Sequence, residues 1–292
     1  MATADDKPSR IDQVFADPRW IGEALTAAAA DAIERHQRAG VPMVVFRDGR
    51  VEHVPAERLA PDVDALLKDV DFEAERSASE LIAWFEERRS EINSCLLAKE
   101  PALLHQGRFK KFYEELYPFA LWVGHLYAGR EDVMCSLNST ANDHTDYDAL
   151  VKDRATNPPA VTYVQLTTTT FDRDESRRMQ YFLEHGWTPA RWGQITEDGE
   201  AEVGWLSQEE RLERAFADIE RVAQRKSTFR HGANYVLVVC FDDFMWFGTD
   251  DDRAALTSFV TSRLASWRLN VATLYIVGIS GRTFLSFPIA GL

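Results

Sequence analysis

The sequence predicts an α/β protein: a mixed central sheet flanked by helices, preceded by an N-terminal helix and β-hairpin module. Two observations predict it. Apolar residues recur at helical spacing in 62–97, 107–128 and 207–226, with charged residues on the opposite faces. Among and after these stretches stand apolar runs of strand length, of which NYVLVVCFDDF and VATLYIVGI are continuous, as expected of strands covered on both faces.

In chain order, residues 20–39 are alanine-rich, with Ile21, Leu25, Ala28, Ala32 and Ile33 near helical spacing and Gly40 placed to end the helix. VPMVVFRDGRVEHVP then forms two short β-like runs around Asp48-Gly49, a dipeptide suited to a type I′ turn. Residues 62–97 read as two helical segments, the first with Val63, Leu66, Leu67 and Val70 on its apolar side. The pattern breaks at Glu100-Pro101, which suggests an N-terminal module over 1–106 and a second domain over 107–292. Pro118 should kink or split the helix over 107–128.

After Gly129 the period changes. DVMCSLNS, DYDALVK and VTYVQLTTTT are three short strands, and a helix follows that begins at a cap on Asp172 or Asp174 and stops at Gly186. A second hairpin is expected around Asp198-Gly199, then a helix from Ser207, whose Glu210 completes a capping box. Asp250, Asp251 and Asp252 lead into the last helix, where negative charge at an N-terminus is favourable. RTFLSFP is the last strand.

The chain has 292 residues, 45% hydrophobic and 27% charged, ordinary for a globular protein. No apolar run approaches the roughly 18 residues needed to cross a bilayer, and the N-terminus is polar, so a cytoplasmic protein without membrane association is expected. Cys95, Cys135 and Cys240 are scattered, which suggests reduced thiols and neither a disulfide framework nor a cysteine zinc site. A net charge of −14 argues against nucleic-acid binding over the whole surface, because phosphate neutralisation by Lys and Arg supplies most of that affinity; it leaves room for a local basic groove. An acidic surface or the N-terminal module could instead meet a protein partner. No P-loop, dinucleotide fingerprint or nucleophile elbow is present.

Residues 144–186 hold the densest chemistry. His144, Asp146 and Asp148 share one face of the first strand if it is extended, and Gln165, Thr167 and Thr169 share one face of the second. The following helix carries Arg177 and Arg178 in its early turns. The His144, Asp146 and Asp148 row could be a transition-metal cluster or a polar turn entering a strand. Asp242 and Asp243 end a long apolar strand, where ligand-binding residues of α/β sheets and turn caps are both found. Arg225, Lys226, Arg230 and His231 read as a solvated helix end, with phosphate contact as the alternative.

The order helix, three strands, helix, then a further strand over 107–292 resembles the core of the PD-(D/E)XK, restriction-endonuclease-like nuclease superfamily. On that resemblance the family's Asp falls on Asp148, its acidic or Gln position on Gln165, and its Lys, two residues on, falls on Thr167. The resemblance implies a hydrolase that binds Mg²⁺ or Mn²⁺ through Asp148, Gln165 and Glu115 and acts on nucleic acid. Hard oxygen ligands of this kind hold a divalent metal that polarises a phosphate and lowers the pKa of an attacking water. Thr167 cannot supply the family's cation. Arg177, Arg178 and Lys152 are the nearest replacements in sequence, and the alternative is a non-catalytic interaction protein that keeps the fold.

Overall fold

A computed structural model describes residues 28–29, 31–33, 35–36, 38–47, 49–55, 66–95, 98–138, 147–170, 173–188, 194–195, 201–202, 206–228, 232–243 and 249–289. Expectations for Ile21, Leu25, Asp48, Val63, His144, Asp146, Asp172, Arg230, His231 and the Asp198-Gly199 turn lie outside those residues. The N-terminal hairpin pairs β1 (Met43–Arg47) with β2 (Arg50–Val54). Then follow α1 (Asp69–Glu73), β3 (Arg76–Ser77), α2 (Ala78–Ser94), α3 (Lys99–Leu103) and α4 (Arg108–Lys111). A π-helical turn, Phe112–Leu116, joins α4 to α5 (Tyr117–Tyr127). The three expected strands are β4 (Val133–Leu137), β5 (Ala149–Asp153) and β6 (Ala160–Thr168), followed by α6 (Arg173–His185). A small hairpin pairs β7 (Gln194–Ile195) with β8 (Ala201–Glu202). The remainder is α7 (Gln208–Lys226), β9 (Tyr235–Phe241), α8 (Asp250–Trp267), β10 (Thr273–Gly278) and β11 (Phe284–Pro288).

Seven strands form one mixed sheet in the order β11, β10, β9, β6, β5, β4, β3. β5 runs antiparallel to both β4 and β6, whereas β6, β9 and β10 are parallel. Helices cover both faces. Phe85, Phe112, Leu116, Phe119 and Trp122 pack with Val164, Leu166, Val236 and Val238 on one side. Ile219, Val222, Leu256, Val260 and Trp267 pack with Leu237, Val239, Leu274 and Ile276 on the other. Alternation along β6 and β9 sorts these residues, so neighbouring positions serve opposite cores.

The segments on either side of residue 106 contribute to one core: Leu67, Phe72, Leu81 and Ile92 join Val133 and Val151 in the same cluster. The short β3 adds to the edge at β4. There Ser77 caps α2, accepting from the Glu80 amide while its own amide donates to Glu80, and its hydroxyl donates to Glu131 at 2.8 Å. Val70, expected on an apolar face, is 68% exposed, because α1 starts afresh at Asp69 after a bend at Leu67 and turns Phe72 to the core instead. Asp174 lies inside α6 rather than capping it.

Helical structure runs on through Pro118, but in three parts, with Pro118 in the first turn of α5 after the π turn. A proline lacks the N–H for the carbonyl four residues back and crowds it. The preceding turn widens instead, and the Tyr117 amide donates to the Phe112 carbonyl, five residues back. That turn carries Glu114 and Glu115.

At the end of β9, buried Asp243 accepts from the Ser280 amide and hydroxyl, both at 2.7 Å, tying the β10 to β11 turn to the sheet. Gly278 packs so closely against this carboxylate that a Cβ there would overlap it. Asp243 has a short side chain held by two bonds and cannot swing aside cheaply. Gly278→Ala should therefore destabilise the fold by about 2 kcal/mol, read as a lower denaturation midpoint. An unchanged midpoint would mean that the turn is not held through Asp243.

Candidate active site

Asp148 stands just before β5, where β4 has already ended. The backbone ladder continues to it: its amide donates to the Val164 carbonyl at 2.9 Å and its carbonyl accepts from the Asn138 amide at 2.8 Å. Its carboxylate Oδ2 accepts from the Leu166 amide at 2.7 Å, which fixes it against β6. Gln165 and Thr167 lie on β6, buried, on the sheet face covered by α7 and α8, beside Leu237 and Val239 of β9.

The cation reaches this group from α7. Lys226 Nζ donates to Gln165 Oε1 at 2.6 Å, and Arg225 Nη2 donates to Thr167 Oγ1 at 3.4 Å. Burial lowers the Lys226 pKa, and the charges of Asp148 and Glu115 act against that depression. Glu115 behaves as the counterpart: its pKa is pushed up to about 7, first by burial and second by the charge of Asp148. Lys111, one turn earlier, works in the opposite sense; its Nζ donates to the Asn138 carbonyl at 2.5 Å. Glu115, Asp148, Gln165 and Lys226 thus form one electrostatically coupled group drawn from the π turn, two strands and a helix end.

The arginines expected to supply the missing cation are engaged elsewhere. Arg178 is buried and donates to Glu175 of its own helix at 2.5 Å, and Arg177 lies 3.9 Å from Asp174. Lys152 points to the opposite end of the sheet edge, where it pairs with Glu75 at 2.7 Å. Sequence reading placed Lys226 in a solvated patch. A signal was nevertheless present: Ile219, Val222 and Ala223 are buried, and Lys226 continues their stripe seven residues after Ile219.

The residue types of this group are ones a hard divalent cation takes, with the Gln165 oxygen already accepting from Lys226. They comprise two carboxylates, Glu115 and Asp148, and the Gln165 amide carbonyl. Mg²⁺ commonly takes one or two carboxylates and keeps several waters, whereas Zn²⁺ favours His and Cys. Among the described residues no three His, Cys, Asp or Glu side chains gather in one place. Comparison of the chain with family models, curated proteins and solved structures gave no match. No helix among the described residues is long and apolar enough to cross a membrane.

Glu115 makes stability depend on pH. It holds its proton to about pH 7 in the folded chain against an ordinary value of 4.5, so the native state binds more protons between these values and loses stability as pH rises across them. Glu115→Gln should stabilise the metal-free protein by roughly 2 kcal/mol at pH 8 and by little at pH 4.5. Chemical denaturation at the two pH values checks this, and an equal gain at both would show that Glu115 is not held neutral.

Proposed function

We propose that this chain is a divalent-metal-dependent nuclease, a phosphodiesterase acting on nucleic acid, of the PD-(D/E)XK kind. The observation that carries the reading is the Lys226 to Gln165 hydrogen bond. It puts an ammonium on Gln165, two residues before Thr167, the strand position where the family's pattern has Lys, and Arg225 reaches Thr167 itself. The sheet supports the same reading: a helix, three antiparallel strands and, after further helices, β9 added parallel to β6.

Asp148, Glu115 and the Gln165 carbonyl would hold Mg²⁺ or Mn²⁺. When bound, the metal would polarise the scissile phosphate and acidify the attacking water. The Leu166 amide keeps the Asp148 carboxylate in place through its bond to Oδ2. Lys226 holds the amide oxygen of Gln165 and offers positive charge to the phosphate oxygens as negative charge builds on them. Lys111, Lys226 and Arg225 supply local cations on a chain whose net charge of −14 otherwise repels nucleic acid.

A second reading is a non-catalytic interaction protein that retains this fold. It is favoured by the N-terminal hairpin, where Val44, Phe46 and Val51 share a face and are 60%, 76% and 65% exposed.

The two readings separate in a nicking assay on supercoiled DNA and structured RNA with Mg²⁺ or Mn²⁺. The wild type should cleave, EDTA and Asp148→Ala should abolish cleavage, and Lys226→Met should lower it by about 10²-fold or more, the usual loss of one charge-stabilising donor. Absence of cleavage together with absence of metal binding by calorimetry would overturn the nuclease reading and leave the interaction protein.

A further inference from the structure

On the sheet face opposite Gln165 and Lys226 lies a cavity of about 640 Å³, at the carboxyl ends of β6 and β9. Its walls are apolar: Tyr113 and Tyr117 from the π turn and α5, Met179 and Phe182 from α6, and the thiols of Cys95 and Cys240. This is the size and lining of a site for a small organic molecule, at an address where α/β sheets commonly bind ligands.

The polar groups of the interior are already engaged. Tyr117 donates its hydroxyl proton to the Ile279 carbonyl at 2.6 Å, the Thr168 and Thr170 hydroxyls bond each other at 2.5 Å, and Glu175 accepts from Arg178. The inner part therefore calls for an apolar ligand body and makes few polar demands on it. Burial raises the Cys240 pKa, so this thiol stays neutral as part of the apolar wall.

The mouth differs. Lys99 lines the cavity and is exposed, with no carboxylate partner among the described residues. His105, also on the lining, is the left-handed residue (φ 48°) that ends α3, its amide donating to the Ala102 carbonyl and the Gln106 amide to the Pro101 carbonyl. Its ring stacks on Tyr113 with centroids 5.1 Å apart, and its Nδ1 lies 3.3 Å from Glu114 Oε1.

We propose that this cavity binds a small aromatic carboxylate, the ring between Tyr113, Met179 and Phe182 and the carboxylate paired with Lys99. The assignment is independent of the phosphodiesterase reading, since it uses none of that site's side chains and needs no cleavage to test.

The test uses the full chain with 2-naphthoate and its neutral counterpart 2-naphthalenemethanol, each titrated by calorimetry. The wild type should bind both saturably at one site. Lys99→Glu, an exposed change, should weaken the acid by about fivefold, as for an exposed ion pair, and leave the alcohol unchanged. Met179→Trp, which fills the cavity, should weaken both. No saturable binding of either compound by the folded wild type up to about 1 mM overturns the proposal. So does a Lys99→Glu effect that is the same for acid and alcohol, or a Met179→Trp variant that melts normally yet binds like the wild type.

Discussion

The candidate site depends on one half-buried hydrogen bond, from Lys226 to Gln165. Bringing an ammonium this far out of water is costly unless anions and acceptors compensate, and burial accordingly depresses its pKa. Glu115 and Asp148 provide the compensation, and they in turn need the cation, because two neighbouring carboxylates cannot both ionise cheaply. The bond also fixes the phasing of α7. The helix must run 19 residues from its Ser207 cap with Ile219, Val222 and Ala223 against the sheet, so that its last residue arrives over β6. A helix rotated by a third of a turn would bury neither those side chains nor the lysine.

The regular elements were legible in the sequence because each rests on local causes. The strands β4, β5, β6, β9 and β10, the capping box of α7 and the acidic start of α8 follow from period, composition and caps. Asp148, Gln165 and Glu115 could be named as candidates, yet the cation that joins them could not. Lys226 lies 61 residues from Gln165, and only the pairing of β9 beside β6 brings the end of α7 to that strand. Arg177 and Arg178 looked suitable because they follow β6 closely. Both instead satisfy carboxylates three residues earlier on their own helix. The π turn was hidden for a related reason: a proline in a helical pattern signals a break, and only packing of Phe112 and Leu116 on both sides keeps the helix continuous.

Alternation along β6 separates two chemical environments. Gln165 and Thr167 face α7, with Lys226 and Arg225 above them, while Thr168 faces the aromatic cavity closed by the π turn and α6. The π turn serves both, since Glu115 belongs to the charged group and Tyr113 to the cavity wall. The neutral Cys240 thiol and satisfied hydroxyls keep the second environment apolar a single residue away from the first.

The proposed nuclease requires Glu115, Asp148 and Gln165 to hold a divalent cation beside Lys226. The most direct measurement is paramagnetic line broadening by substoichiometric Mn²⁺ in an amide NMR spectrum of the deuterated protein. The account predicts that the amides of Glu115, Asp148, Gln165, Leu166 and Lys226 broaden first and together. Broadening confined to scattered acidic surface positions, with these five unaffected, would contradict it.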